Sequence, residues 1–372
     1  LCLFGGNATA DDNWSYNPSI SQNFSYDSNP LLLSGEHQAV YGSVTAPKLT
    51  IMDSTPTTQL IAGLTLDENL FNLSSFDSTD AHTNISLDEK LEQWEVGFTQ
   101  ATDYDTTRTS EISTFNQNTE GSIRHLGNSI SPEISFSPSE LDKISLTGSA
   151  TDSHYDSSIY TDYHTLSLTP SYQYNFTPSD IGSISVQTQR YQTDSNISSK
   201  VDSVAPYVGW TKILTPTLTA KATVGLEEYH EQIQDVADNS WKLQTIYSAE
   251  IDYKGELDTL ALSGTRALQP YENGTEYFLN TISLSDNHTL NTLFSGNIAA
   301  SYQFASNNDQ ASTNLKSYVN ATAGIAYHVT DKFDITSSYQ YRDQELTNVP
   351  GSQSDNVFLL GLVYRPKLDN AL

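Results

Sequence analysis

Residues 162–192 read DYHTLSLTPSYQYNFTPSDIGSISVQTQRYQ, and the parity of their side chains decides the fold. Leu166, Leu168, Pro170, Tyr172, Tyr174 and Phe176 share one face, while Thr165, Ser167, Thr169, Ser171, Gln173 and Asn175 share the other. A side-chain period of two means strand. Thr177-Pro178-Ser179-Asp180 then turns the chain back into a second alternating run. The polar face consists of uncharged hydroxyl and amide groups, which suit water. That combination predicts a transmembrane β-barrel, apolar toward lipid and polar toward a lumen.

The same unit recurs along the chain: an alternating stretch of roughly ten residues, a tight turn, a second stretch, then a longer polar segment. Tight turns are read at Ser137-Pro138-Ser139-Glu140, Leu214-Thr215-Pro216-Thr217, Lys254-Gly255-Glu256 and Thr330-Asp331-Lys332. Longer segments fall near 27–37, 105–120, 193–200, 232–240, 268–275, 305–313 and 345–354. Tight periplasmic turns and long outer loops alternate in this way in all-β, up-and-down antiparallel barrels. The spacing predicts about 18 strands (16–18) with both termini in the periplasm. Strands are read at 80–88, 92–104, 275–286 and 289–304 among others.

By parity the lipid face takes Val204, Pro206, Val208 and Trp210, then Leu218, Ala220, Ala222, Val224 and Leu226, and near the end Phe358, Leu360, Leu362 and Tyr364. Pro132, Pro170 and Pro206 fall inside strands, where a missing N–H should break the ladder, so bulges near the periplasmic rim are expected there. Aromatic residues gather at strand ends. Tyr172, Tyr174, Phe176, Trp210, Tyr253, Tyr302, Phe304 and Tyr364 are read as an aromatic girdle at headgroup level.

Composition agrees with a barrel better than with a thick soluble core. The hydrophobic fraction is 37% and the mean hydropathy -0.44. No apolar run is long enough for a spanning helix, which says nothing against a wall that shows lipid only every second residue. Acidic residues number 45 against 17 basic, a formal net charge of -28. A nucleic-acid partner is excluded, because phosphate binding needs lysine and arginine. The acidity fits solvated loops, a lumen that prefers cations, and divalent ions bridging the loops to lipopolysaccharide.

Residues 1–10 are read as the remnant of a secretory signal peptide, since Ala8-Thr9-Ala10 before Asp11-Asp12 has the small-residue cleavage pattern, and 11–372 as a single barrel domain. Cys2 lies in that leader, so disulfides and thiol-bound metals drop out.

Motifs of catalysis are missing: there is no Gly-x-Ser-x-Gly elbow, no His-Glu-x-x-His, no phosphate loop and no dinucleotide fingerprint. The histidines fall near expected strand ends or loops, where a solvated side chain is ordinary, and the chain is read as a non-enzyme. Glu133, Lys221, Glu227, Glu250, Asp252, Asp334 and Arg342 have inward parity and are the candidate lumen-lining charges. No cofactor is implied. Asp77-Ser78-Thr79-Asp80, Asp103-Tyr104-Asp105, Asp194-Ser195-Asn196 and Asn307-Asn308-Asp309 are read as oxygen-rich loops that would suit calcium or simply cap turns.

With Tyr26-Asp27-Ser28-Asn29 closing the first strand and Asp162-Tyr163 opening the strand that ends Tyr172-Gln173-Tyr174, the chain resembles the β-barrel porins of Gram-negative bacteria associated with exopolysaccharide gene clusters, the EpsL-like outer-membrane proteins. The resemblance covers roughly residues 14–366, mostly as hairpin rhythm. It implies residence in the bacterial outer membrane, contact with lipid and lipopolysaccharide, and a polysaccharide or an export complex as partner; a homotrimer is a common assembly of such porins. It carries no active site. Such barrels commonly end in an aromatic residue read by the assembly machinery, whereas here Tyr364 is followed by a short tail. The leading function is a pore for hydrophilic solutes or polysaccharide, cation-preferring. The alternatives are a structural or adhesive barrel, or a sleeve around another protein, without an open pore.

Overall fold

The computed structural model describes residues 14–110, 122–157, 160–193, 199–233, 241–270, 276–305, 315–347 and 349–366. The leader at 1–10, Asp194-Ser195-Asn196 and Asn307-Asn308-Asp309 lie outside these residues. Eighteen strands follow one another: β1 (Trp14–Asp27), β2 (Val40–Ser54), β3 (Thr58–Phe71), β4 (Ser78–Lys90), β5 (Trp94–Thr106), β6 (Arg124–Phe136), β7 (Asp142–Tyr155), β8 (Tyr163–Thr177), β9 (Asp180–Thr193), β10 (Ser199–Thr215), β11 (Leu218–Ile233), β12 (Lys242–Lys254), β13 (Asp258–Pro270), β14 (Glu276–Thr289), β15 (Phe294–Ala305), β16 (Leu315–Thr330), β17 (Phe333–Leu346) and β18 (Ser352–Tyr364). One α-helical turn, α1 (Thr107–Ser110), leaves β5.

Each strand pairs antiparallel with its sequence neighbours, and β18 returns to β1 from Ile20↔Tyr364 to Asp27↔Val357. The sheet is therefore a closed up-and-down barrel with no free edge. Short connections join β2 to β3, β4 to β5 and so on at one end, the end that also holds Trp14 and Tyr364; the longer ones lie at the other.

The registers carry the alternation around the wall. Val208 pairs with Ile184 and Val224, and Trp210 with Gly182 and Ala222. Phe358 pairs with Tyr26 and Tyr339, and Leu360 with Phe24 and Ser337. These apolar side chains are exposed. The opposite parity carries the serines, threonines, amides and most charges.

Polar groups interrupt the outer face at several points, and at two places within the belt they satisfy each other across strands. Thr45 Oγ1 donates to Gln22 Oε1 at 2.7 Å; on β5 and β6, Gln100 Nε2 donates to Thr102 Oγ1 at 2.6 Å and Thr102 Oγ1 to Asn128 Oδ1 at 3.0 Å. Pairing across strands lowers the penalty of polar groups in hydrocarbon.

Three sequence expectations need correction. The prolines on the lipid face are not bulges. Pro132 pairs with Phe98, Pro170 with Leu146 and Pro206 with Val186, and the other neighbouring ladder skips two residues at each without changing register. The true register shifts lie at strand ends, for example Asn175/Thr177 and Ile213/Thr215. The stretch read as a strand from 289 begins instead at Phe294. Leu290 and Leu293 are apolar like strand residues, but Asn291 Oδ1 accepts from the Leu293 and Phe294 amides at 2.8 and 3.0 Å and makes a turn. Thirdly, Ser78 to Asp80 and Asp103 to Asp105 belong to β4 and β5 rather than to loops.

Val208→Arg should destabilise the barrel by about 2–4 kcal/mol, since it places a charge on the lipid face, whereas Thr223→Arg on the inner face of the neighbouring strand should cost far less. Reversible urea unfolding from lipid vesicles measures both.

Candidate functional site

Aromatic rings mark two levels on the outer face. At the short-turn end Trp94 meets Phe136 at 4.6 Å between centroids, Phe176 stacks on Trp210 at 5.3 Å, Phe294 on Tyr327 at 4.8 Å and Phe333 on Tyr364 at 4.7 Å. Tyr172, Tyr174 and Tyr253 share this level by register. Toward the loops, Tyr339 meets Phe358 at 4.8 Å and Tyr302 stacks on Phe304 at 5.5 Å. Between the levels runs the apolar belt. The short tail after Tyr364 begins with Arg365, which pairs with Asp334.

A closed, even-stranded antiparallel barrel with a lipid-facing belt between aromatic levels is a transmembrane barrel of the outer-membrane type, and the outer membrane is its place. No protein-family model matches the chain, and no curated protein matches it. Among solved structures it is similar to the outer membrane channel DcaP of Acinetobacter baumannii (12% identity, 98% of this chain, 100% of that one, TM-score 0.47). It is also similar to the FrpB iron transporter from Neisseria meningitidis (7%, 96%, 83%, TM-score 0.49) and to OccK11 of Pseudomonas aeruginosa (9%, 95%, 96%, TM-score 0.45). What places this chain in a membrane is its own surface.

All seven candidate lumen charges lie on strands with inward parity, but they do not form one ring. Lys221 on β11 sits between two carboxylates of β12, 2.9 Å from Asp252 and 3.2 Å from Glu250. Asp334 is buried between His328, at 2.9 Å, and Arg365. Glu133 is exposed on β6 between Gly97 and Thr147. Glu227 is buried on β11. Arg342 belongs to a separate knot.

That knot ties the first strand to the last. Arg342 on β17 donates from Nε to Asp355 Oδ2 at 2.9 Å and from Nη2 to Asp27 Oδ2 at 3.1 Å. Ser28 Oγ donates to Asp355 Oδ1 at 2.9 Å and accepts from the Asn356 amide at 2.8 Å. The Asn29 amide donates to Asp355 Oδ1 at 2.8 Å, and its side-chain amide brackets Leu33 through two bonds of 3.0 Å. Arg108 of α1 approaches the same Asp27 at 3.9 Å while lying over the Phe71 ring. The Asp27-Ser28-Asn29 run is thus the clasp of the seam.

The loop end of the interior is filled by apolar side chains. Tyr155, Tyr163, Tyr191, Ile246, Leu268 and Phe278 form one buried cluster, drawing together β7 to β9 and the ends of β13 and β14, which are not neighbours in the sheet. Leu32, from the connection after β1, packs with Tyr277, Leu279, Leu315 and Tyr318 in a second. Leu32 holds φ at 50°, a left-handed conformation costly for leucine that the Asn29 bracket and the buried side chain maintain. The Asp162-Tyr163 pair opens β8 here: Asp162 accepts from the Tyr155 amide at 2.8 Å, and the Tyr163 ring meets Tyr191 at 5.4 Å.

Sequence reasoning passed over a set of inward histidines and their carboxylates. His82 Nδ1 lies 2.7 Å from Asp103 Oδ1, and Arg124 reaches Asp80 at 2.6 Å. His125 is buried, with Nδ1 3.1 Å from Asp105 Oδ1 and Nε2 2.8 Å from Ser153 Oγ. These residues lie in strands, and His125 is buried, because β4 and β5 each run two residues further toward the loop end than the alternation indicated. Inward parity with opposite charge across a hairpin, as in His82↔Asp103, was the available signal.

Asp105, His125 and Ser153 have the connectivity of a nucleophile, base and orienting acid. Two features set them apart from a working acyl-transfer centre. Ser153 is 3% exposed, and it lies within the paired run of β7 against β6 and β8, where neighbouring backbone amides serve the ladder instead of an oxyanion. The relay ties three strands together.

Two outcomes test these assignments. Arg342→Ala leaves two carboxylates facing each other and should lower stability by about 3–5 kcal/mol in urea unfolding, with most of the loss recovered by adding Asp27→Asn and Asp355→Asn. Incubation of the intact barrel with a fluorophosphonate probe should leave Ser153 unlabelled by peptide mass spectrometry; labelling at Ser153 would mark it as a nucleophile after all.

Proposed function

We propose that the barrel is an outer-membrane channel for small hydrophilic solutes, with a preference for cations. The observation that carries this reading is the inner face itself. Hydroxyl and amide side chains pave it, with pairs such as Ser145–Ser171 at 2.5 Å and Thr223–Ser248 at 2.8 Å, and carboxylates outnumber lysines and arginines there. Around Lys221 two carboxylates share one ammonium, which leaves a net negative field facing the interior. Acidic linings favour cations by attraction at close quarters. Glu133, exposed on the same inner face, adds to that field.

The apolar clusters at the loop end narrow the interior, so passage depends on the hairpin β13–β14 and the connection after β1 yielding space. A second cargo, a glycan strand, is suggested by the resemblance to exopolysaccharide-associated porins. Loop calcium, lipopolysaccharide contacts and a trimer would all accompany an outer-membrane channel.

In planar bilayers the purified protein should give stepwise currents, and a potassium chloride gradient should give a reversal potential of the sign for cation preference. Glu250→Gln with Asp252→Asn should move that potential toward zero. Absence of steps would leave a plugged structural barrel or a sleeve instead; interruption of the current by added oligosaccharide would favour the glycan cargo.

A further inference from the structure

Among the described residues, every buried carboxylate on the inner face has a basic partner but one. Asp27 and Asp355 share Arg342, Asp80 has Arg124, Asp105 has His125, and Asp334 has His328 and Arg365. Glu227 on β11 is 6% exposed. Among the described residues no lysine, arginine or histidine forms an ion pair with it; the inward lysine of its own strand, Lys221, is held by Glu250 and Asp252. A buried carboxylate without a counter-charge is unfavourable; such a group either holds a proton or is met by a cation, and a cation entering beside it releases the proton and gains the charge pair.

Glu227 faces a cavity of about 310 Å³ inside the wall, at the small end of the range for small-molecule sites. Thr151, Tyr163, Gln187, Gln189 and Tyr207 line it from the wall, and the inward-bent end of β13 covers it with Leu268. Tyr207 is fixed from two sides. Its hydroxyl donates to Gln187 Oε1 at 3.0 Å, and its ring lies over Gly225, where a Cβ would come within 2.9 Å of the ring and 2.5 Å of the Pro206 carbonyl oxygen. An aromatic ring beside an unanswered carboxylate, with amide and hydroxyl oxygens around them, is the chemistry that recognises an organic cation.

We propose that this cavity binds a small organic cation with N–H donors, an alkylammonium or guanidinium, whose charge is met by Glu227. The inference deepens the channel reading by naming the solute class, and rests on it for its biological meaning.

Isothermal titration of the detergent-solubilised full chain with methylguanidinium chloride tests it, with glucose as the neutral probe and far-UV circular dichroism as the fold check. Saturable binding of methylguanidinium is expected, weakened by about tenfold or more in Glu227→Gln and unchanged in Asp88→Asn, which removes an inward carboxylate away from the cavity. Should Glu227→Gln fail to fold, Tyr207→Leu, which removes the aromatic face beside the carboxylate, takes its place with a clear loss of binding expected. No binding to the unaltered chain, equal binding to the variant, or binding of glucose alone would each overturn the proposal. A barrel that binds methylguanidinium yet passes no current overturns the channel reading and leaves this one standing; a conducting barrel that binds none does the reverse.

Discussion

In hydrocarbon a backbone N–H or C=O without a partner costs several kcal/mol, and no water is there to supply one. The pairing of β1 with β18 is therefore the contact on which the whole structure depends, since it turns an open sheet with two bare edges into a continuous wall. The chain places its densest polar knot at that seam. Asp27, Ser28 and Asn29 on one side meet Asp355 and Asn356 on the other, with Arg342 bridging the carboxylates. A buried arginine shared by two acids holds geometry more than it adds stability, because desolvation offsets much of the attraction. Its value is that it specifies which ends meet.

Closure has a second consequence. With both sheet edges consumed, the inner face is free to be polar without exposing backbone, so each charge there can be spent on the wall or on the interior. Most are spent on the wall: His82 with Asp103, Lys143 with Glu95 at 2.5 Å, Arg124 with Asp80. Lys221 with its two acids, exposed Glu133 and Glu227 are among those left to act on a solute. The apolar clusters at the loop end, built from strands distant in the sheet, then decide how much of the interior a solute can reach.

The hairpin rhythm was legible because period-two alternation is strict wherever one face meets lipid and the other meets water. Leu166 to Phe176 and Val204 to Trp210 could have had only one orientation. Errors clustered where that contrast fades. Leu290 and Leu293 sit in a turn at the membrane edge, where apolar residues are also tolerated, and Asn291 decided the matter through its own backbone bonds. At the prolines a bulge was the local solution, but neighbours held in register on both sides left a gap in the ladder to be the smaller disturbance.

The amino-acid sequence by itself determined the strand class, the parity of each residue, the alternation of short and long connections and the inward set of charges, because all of these follow from local geometry and from the polarity of the two solvents. Only the tertiary structure decided which inward charges meet. Arg342 and Asp355 oppose each other across one hairpin, but Asp27 reaches them only when the first strand closes on the last, and Leu268 and Phe278 reach Tyr163 and Tyr191 only by crossing the interior. Those contacts depend on the curvature of a closed wall, a property of all eighteen strands at once that no local stretch encodes.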